Sequence, residues 1–318
     1  MVVDIINNDF PGLTSELSKV KQLMKKSVIL KDTAVKRAIF DIFDAGGKML
    51  RPAYLLLFSE YSELSSEQRI ALAAAVEMLH TATLIHDDIV DRADTRRGVA
   101  TISAKYGEDV AVYAGDYLFV SVFKTLSKHS LDLSNLTSQT ASIERLLGGE
   151  LGQMTLRYDL TQTIDAYIDN ISGKTAELFA MACAVPAMID GDKKFSKLAY
   201  NIGKNIGIAF QIMDDYLDYA ADEEKLGKPV LEDMQQGVYS APILFALKAD
   251  PEKTAYLLSH KKFDKIPEVL EKTGALLETK QLAQNYTLTA LKLIKKLPAT
   301  DTTMKISNLT KKTLERDY

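Results

Sequence analysis

The sequence predicts an all-α protein, a single-domain bundle of about ten or more helices. Three observations carry this. Apolar residues recur at i, i+3 and i+4 through long segments rich in Ala, Leu and Ile. Strand-like alternation is confined to a few short patches. Glycine and proline, 16 and 8 in 318 residues, stand mostly between the helical segments.

Taken in order, AVKRAIFDIFDA (34–45) is the first clearly amphipathic segment. GGKMLRP (46–52) then opens an apolar helix. ALAAAVEMLHTATLIHDDIVDRA (71–93) is long and apolar up to a terminal run of aspartates. The stretch from Ala111 to Leu126 is apolar nearly all round, so it is buried or faces a partner subunit. IDAYIDNISGKTAELFAMACAV (164–185) and LAYNIGKNIGIAFQIMDDYLDYA (198–220) repeat the helical pattern. Gly98, Gly191, Gly227 with Pro229, and Pro298 mark gaps. No low-complexity linker, solenoid period or shift in composition divides the chain, so residues 1–318 read as one domain.

Composition narrows the function classes. Hydrophobic residues make up 47% and charged residues 26%, enough for a sizeable core. The net charge of −4 gives no global basic field for nucleic acid or anionic lipid. An anionic substrate must therefore be met by local cations. No apolar run approaches the roughly 20 residues that span a bilayer. The opening MVVDIINNDF lacks the layout of a signal peptide, and the cytoplasm is the expected compartment. Cys183, the only cysteine, excludes an internal disulfide or a thiolate metal site and reads as a core thiol.

The chemistry centres on two aspartate clusters. Asp87, Asp88 and Asp91 follow TATLIH; Asp214, Asp215 and Asp218 follow GIAFQIM. In a helix, residues at i, i+1 and i+4 share a face, so each cluster directs three carboxylates one way. Like charges this close raise one another's pKa and are costly without a cation. Oxygen-only sites select hard cations, and Mg²⁺ binds through one or two carboxylates plus substrate phosphates. Chance would place one such cluster in this chain about 0.07 times and two about 0.002 times, which argues against two solvated acidic faces.

A diphosphate also needs basic partners. Lys48 and Arg51, at i, i+3, begin an apolar helix, a start suited to an anion. Arg96 and Arg97 can serve two different diphosphates, although a helix C-terminal pair answering the dipole is the simpler alternative. Lys174, beside Thr175, either contributes a cation or snorkels outward. Lys228 lies in a loop beyond the second cluster. His80 stands two turns before Asp87 on the same face, as a phosphate donor or a satisfied core histidine. His86 reads as structural. Gln211, three residues before Asp214 and on its face, is a candidate polar substrate contact.

These residues, in this order, resemble the trans-isoprenyl diphosphate synthases. GGKMLRP, the stretch from His80 to Asp91, RRG, Lys174-Thr175, FQIMDDYLD and GKPVLED carry the resemblance, from Lys48 to the terminal ERDY. It implies the isoprenoid synthase fold around a central substrate cavity, usually dimeric, with about three Mg²⁺ between the two motifs. Asp87, Asp88, Asp91, Asp214, Asp215 and Asp218 would then coordinate or support Mg²⁺ on an allylic diphosphate. Arg96, Lys174 and Lys228 would contact that diphosphate, with Thr175 and Gln211 lining the site. Lys48, Arg51, His80 and Arg97 would hold isopentenyl diphosphate. Met49 departs from the family, which commonly has a basic residue there. A homodimer, or a heteromer with a small regulatory subunit, is expected, with at most peripheral membrane association and no nucleic acid.

The resemblance also bears on product length. Ala82 and Thr83, five and four residues before Asp87, are small where bulky aromatics stop the family at farnesyl length. The tunnel would run past Met78 and Ala75, with Phe119 or Phe123 as its floor. A long-chain product of about thirty to forty carbons, for a quinone side chain, is the expectation. The alternatives are a farnesyl or geranylgeranyl diphosphate synthase, and a non-catalytic isoprenoid-binding subunit. An HD-type phosphohydrolase would leave the second aspartate cluster unexplained. A terpene cyclase would not need Lys48, Arg51 and Arg97.

Overall fold

In the computed structural model, which describes residues 9–45, 47–129, 133–220 and 232–314, helices dominate from end to end. They are α1 (Pro11–Ser27), α2 (Thr33–Ala45), α3 (Leu50–Ser59), α4 (Ser66–Val90), α5 (Ile102–Tyr106), α6 (Glu108–His129), α7 (Leu133–Thr155) and α8 (Ile164–Ile171). A π-helical turn, Ser172–Ala176, joins α8 to α9 (Glu177–Ile189). Then follow α10 (Lys193–Ala220), α11 (Glu232–Gln235), α12 (Ala241–Ala249), α13 (Pro251–Ser259), α14 (Ile266–Thr273), α15 (Ala275–Ile294) and α16 (Asp301–Leu314). Among the described residues the strands are β1 (Thr95–Arg96) and β2 (Val99–Ala100), an antiparallel pair with Thr95 opposite Ala100. The all-α expectation is met.

The chain forms two compact units. The first comprises Met1–Thr140, Met181–Tyr200 and Thr300–Leu309; the second comprises Ala141–Ala180, Asn201–Ala299 and Thr310–Tyr318. Most of these boundaries fall inside helices α7, α9, α10 and α16 rather than in linkers. That is why no polar, Gly- or Pro-rich segment announces them.

In the first unit, α4 is the organising helix. It begins with a capping box: Ser65 Oγ accepts from the Gln68 N–H, and Gln68 Oε1 accepts from the Ser65 N–H. Ala71 to Val76 are all buried, as expected of a helix that is apolar all round. Its end is equally defined. Asp91 caps it, Arg92 turns left-handed at φ 54°, and the Ala93 and Arg92 N–H groups close onto the Asp88 and Ile89 carbonyls. This is a Schellman stop with arginine in the usual glycine place. The second unit packs its core from Tyr167 and Ile171 of α8, Ile208, Ile212, Met213 and Leu217 of α10, and the inner faces of α12, α14 and α15. Gly207 lets α10 approach the π-turn closely: a Cβ there would lie 2.5 Å from Ala176 Cα. No helix of the described residues is long and apolar enough to cross a membrane.

Candidate active site

The first aspartate cluster sits at the stop of α4. Asp87 and Asp91 are half-buried, whereas Asp88 is only 2% exposed. A buried carboxylate needs a partner, and the hairpin supplies it: Arg96 Nε lies 2.5 Å from Asp88 Oδ1. Burial pushes the Asp88 carboxyl up, Arg96 pulls it down, and Asp87 and Asp91 push it up again. Arg96 and Arg97 do not end a helix, so the dipole alternative fails. They belong to a two-residue hairpin whose central residues, Arg97 and Gly98, have φ of 52° and 78°. Positive φ at both positions is what a tight type I′ turn demands.

Arg97 reaches from this turn to the segment before α3. Its guanidinium lies so close to Gly47 that a Cβ there would sit 2.8 Å from Nη1. Lys48 lies outside α3, Met49 is left-handed at φ 47°, and Arg51 lies in the first helical turn. Helical i, i+3 spacing therefore does not govern the Lys48–Arg51 pair. Arg51 and Arg97 both act on Glu77 and His80 of α4. Glu77 is 5% exposed; burial pushes its carboxyl up and the two arginines draw it back. Burial and the cations Arg51, Arg97 and Arg96 hold His80 well below the ordinary imidazole value. His80 is thus a neutral ring beside three guanidinium groups. His86 is structural: Nε2 lies 3.2 Å from the Val112 carbonyl oxygen and 3.4 Å from Asp116 Oδ1, and the ring stacks on Phe119.

Ala82, Thr83, Met78 and Ala75 are all buried on α4, and Thr83 Oγ1 donates to the His80 carbonyl at 2.8 Å. Phe123 is 41% exposed, which removes it as an enclosed floor within this chain. Phe119 is half-buried against His86.

The second cluster lies on α10 and is held differently. Asp215 is buried between two donors: Tyr167 Oη at 2.6 Å from Oδ2 and Gln211 Nε2 at 2.8 Å from Oδ1. Thr175 Oγ1 donates to Gln211 Oε1 at 2.8 Å, which fixes the amide orientation. Gln211 therefore serves Asp215, one turn on, rather than Asp214. Burial pushes Asp215 up to about 8 despite both hydrogen bonds. Asp214 and Asp218 are half-buried. Lys174, in the π-turn, does not snorkel into water. Its Nζ lies 2.8 Å from Glu150 Oε2 and 2.6 Å from Gln153 Oε1. Lys228 lies outside the described residues.

The donor chemistry fits a hard divalent cation, since every candidate ligand is a carboxylate. Asp88 and Asp215 are both pushed up by burial, and a cation would supply the counter-charge. Among the described residues, no three His, Cys, Asp or Glu side chains are gathered into a ready-made cage.

Sequence reasoning missed Glu77, Glu150, Gln153 and Tyr167. A single acid inside the apolar run AVEMLH was the available signal for Glu77. The spacing of Glu150 and Gln153 after a glycine pair was a weaker one. Nothing local marks Tyr167, whose partner is 48 positions away.

A model of the polyprenyl synthetase family matches residues 32–276. Heptaprenyl diphosphate synthase component 2 of Bacillus subtilis (strain 168) is 31% identical, over 90% of this chain and 84% of its own length. The crystal structure of geranylgeranyl pyrophosphate synthase from Lactobacillus brevis ATCC 367 superposes with a TM-score of 0.93 at 38% identity, covering 99% of this chain and all of that one. A polyprenyl synthase from Caulobacter crescentus CB15, solved with calcium and isoprenyl diphosphate, gives a TM-score of 0.88 at 29% identity, over 100% and 97% of the two chains.

Proposed function

Because this chain belongs to the polyprenyl synthetase family and is a prenyltransferase, we propose that it condenses isopentenyl diphosphate head-to-tail with an allylic diphosphate, repeatedly and with all-trans geometry. The observation that carries this reading is the presence of two cation sets. Arg51 and Arg97 act electrostatically on Glu77 and His80 of α4, and Lys174 is held in the π-turn of the other unit. Two sets answer two diphosphates, as condensation requires and hydrolysis or cyclisation does not.

Asp87, Asp88, Asp91, Asp214, Asp215 and Asp218 are the residues for a divalent cation. Magnesium is the metal of choice, about three ions by family resemblance. Bound there, it would neutralise charge on the leaving diphosphate. Asp88 and Asp215, already engaged by Arg96 and by Tyr167 with Gln211, orient the clusters. Asp87, Asp91, Asp214 and Asp218, half-buried, would supply further carboxylate oxygens to such an ion. Arg96, Lys174 and Lys228 neutralise the allylic diphosphate as its C–O bond ionises. Lys48, Arg51, His80 and Arg97 hold isopentenyl diphosphate, whose double bond attacks the allylic cation. His80, kept neutral, donates a hydrogen bond without adding charge. The apolar helix walls exclude water, which would quench the cation. The lost proton leaves with the released diphosphate.

The product is long-chain, about thirty to forty carbons. The small, buried Ala82 and Thr83 support this, as does the heptaprenyl name of one relative. The geranylgeranyl name of the Lactobacillus brevis enzyme favours the shorter alternative of about twenty carbons. The family model spans segments of both units, which supports one functional domain over residues 1–318. A homodimer is our reading of its assembly. A heteromer with a small regulatory subunit is the other, supported by the "component 2" name of one relative.

The test is incubation with farnesyl diphosphate, labelled isopentenyl diphosphate and Mg²⁺, read by product length. Extension to thirty carbons or more is expected, and Ala82→Phe should shorten it. No extension, by the chain alone or with a partner subunit, would remove the reading. An unchanged length in Ala82→Phe would remove the chain-length assignment alone.

A further inference from the structure

Helix α7 and the π-turn approach each other at two glycines. A Cβ on Gly149 would lie 2.3 Å from Lys174 N, and one on Gly173 would lie 2.9 Å from the Arg145 carbonyl oxygen. Asn170 Nδ2 donates to the Gly149 carbonyl at 2.8 Å and ties the two segments together. This crossing fixes where the Lys174 side chain leaves the backbone. Its far end is fixed separately, by Glu150 Oε2 at 2.8 Å and Gln153 Oε1 at 2.6 Å. Glu150 and Gln153 are three residues apart, hence on one face of α7. The lysine and glutamate side chains are 26% and 20% exposed, so the pair is largely shielded from solvent. A single-turn π-bulge inside otherwise α-helical chain is itself a frequent mark of a functional position.

We propose that Glu150 and Gln153 form a two-point clamp that positions Lys174 for the allylic diphosphate; the inference rests on the function proposed above. A lysine stem has many rotamers, and ordering it on binding weakens affinity. The clamp orders it beforehand. The negative charge of Glu150 also keeps the ammonium in place while the diphosphate is absent. Glu150 and Gln153 are positioning residues: they act through Lys174 and touch no substrate.

The test compares Glu150→Gln, Glu150→Asp and Gln153→Met with wild type, alone and in a Lys174→Ala background. Steady-state kinetics are run with farnesyl and isopentenyl diphosphates, and farnesyl diphosphate binding is titrated calorimetrically without the second substrate. Glu150→Gln and Gln153→Met should each raise the KM for farnesyl diphosphate about ten-fold and leave that for isopentenyl diphosphate within about two-fold. Glu150→Asp, which keeps the charge with a shorter reach, should recover part of the loss. In the Lys174→Ala background the same changes should cost less than about two-fold, because the residue they act through is gone. An unchanged or lowered KM for farnesyl diphosphate, an equal rise for both substrates, or a full cost in the Lys174→Ala background overturns the clamp. If Glu150→Gln does not fold, Gln153→Met, neutral and of similar shape, carries the comparison. A wild type that binds farnesyl diphosphate but does not extend it counts against the proposed function, and the binding titration still decides the clamp.

Discussion

His80 shows how one residue's surroundings set its chemistry. Its sequence position allowed a phosphate donor or a core histidine, and it is a neutral ring beside Arg51, Arg97 and Arg96, one turn from Glu77. Its folded pKa lies well below 6.5, so above about pH 6.5 the ring is neutral in both states and costs nothing. Below that, the unfolded chain takes up a proton that the folded chain refuses. Stability is therefore lost as pH falls from about 6.5 towards the folded value. His80→Gln should flatten the fall in urea midpoint between about pH 6.5 and 5. Parallel slopes for variant and wild type would show that His80 is not held neutral. Asp88 and Asp215 carry the same lesson: adjacent aspartates gave no hint that one of each pair is buried and bound to fixed donors.

At the scale of elements, the stops and crossings matter more than the helices themselves. The Schellman stop of α4 and the Arg97–Gly98 turn aim two neighbouring arginines differently: Arg96 onto Asp88 and Arg97 onto Gly47. The crossing of α7 with the π-turn does the same for Lys174. Gly149 has the Lys174 backbone nitrogen where its Cβ would go, and backbone cannot swing aside as a side chain can. Gly149→Ala should therefore cost about 1–3 kcal/mol of stability, the usual range for overpacking, and displace Lys174. Equilibrium denaturation measures it; a change under about 0.5 kcal/mol, typical of a neutral surface site, would show that the segments separate freely.

For the whole molecule, the outer face of α6 raises the question of assembly. Val112, Tyr113, Val120 and Phe123 are 40%, 74%, 64% and 41% exposed, a stripe along one side of a 22-residue helix. Scattered exposed apolar residues are ordinary, but four on one side of a helix, with Asp116 among them, form a candidate interaction face. On the homodimer reading, Tyr113→Glu combined with Val120→Lys should shift sedimentation from twice the 35.2 kDa chain mass to once. A monomeric wild type, or a double variant that stays dimeric, would move the interface elsewhere or abolish it.

The sequence by itself determined the helical class, through the apolar periodicity of segments such as 34–45, 71–93, 164–185 and 198–220, which lie in helical parts of the chain. It also proposed both aspartate clusters and the cations, because the i, i+1, i+4 spacing and the GGKMLRP and RRG runs are local patterns. Tertiary structure alone decided what those residues touch. For Arg96 and Arg97 the sequence left a helix end open beside two separate anion contacts, and the hairpin removed the helix end. Gln211 read as a polar substrate contact on the Asp214 face, and the fold sets its amide between Thr175 and Asp215. Glu77, Glu150 and Gln153 carried at most weak local signals, and packing set them with arginines and a lysine from distant segments. The physical reason is common to all of them. Periodicity reports which face of an element is apolar, whereas a buried charge is defined by its partner, and that partner is chosen by how the chain folds back on itself.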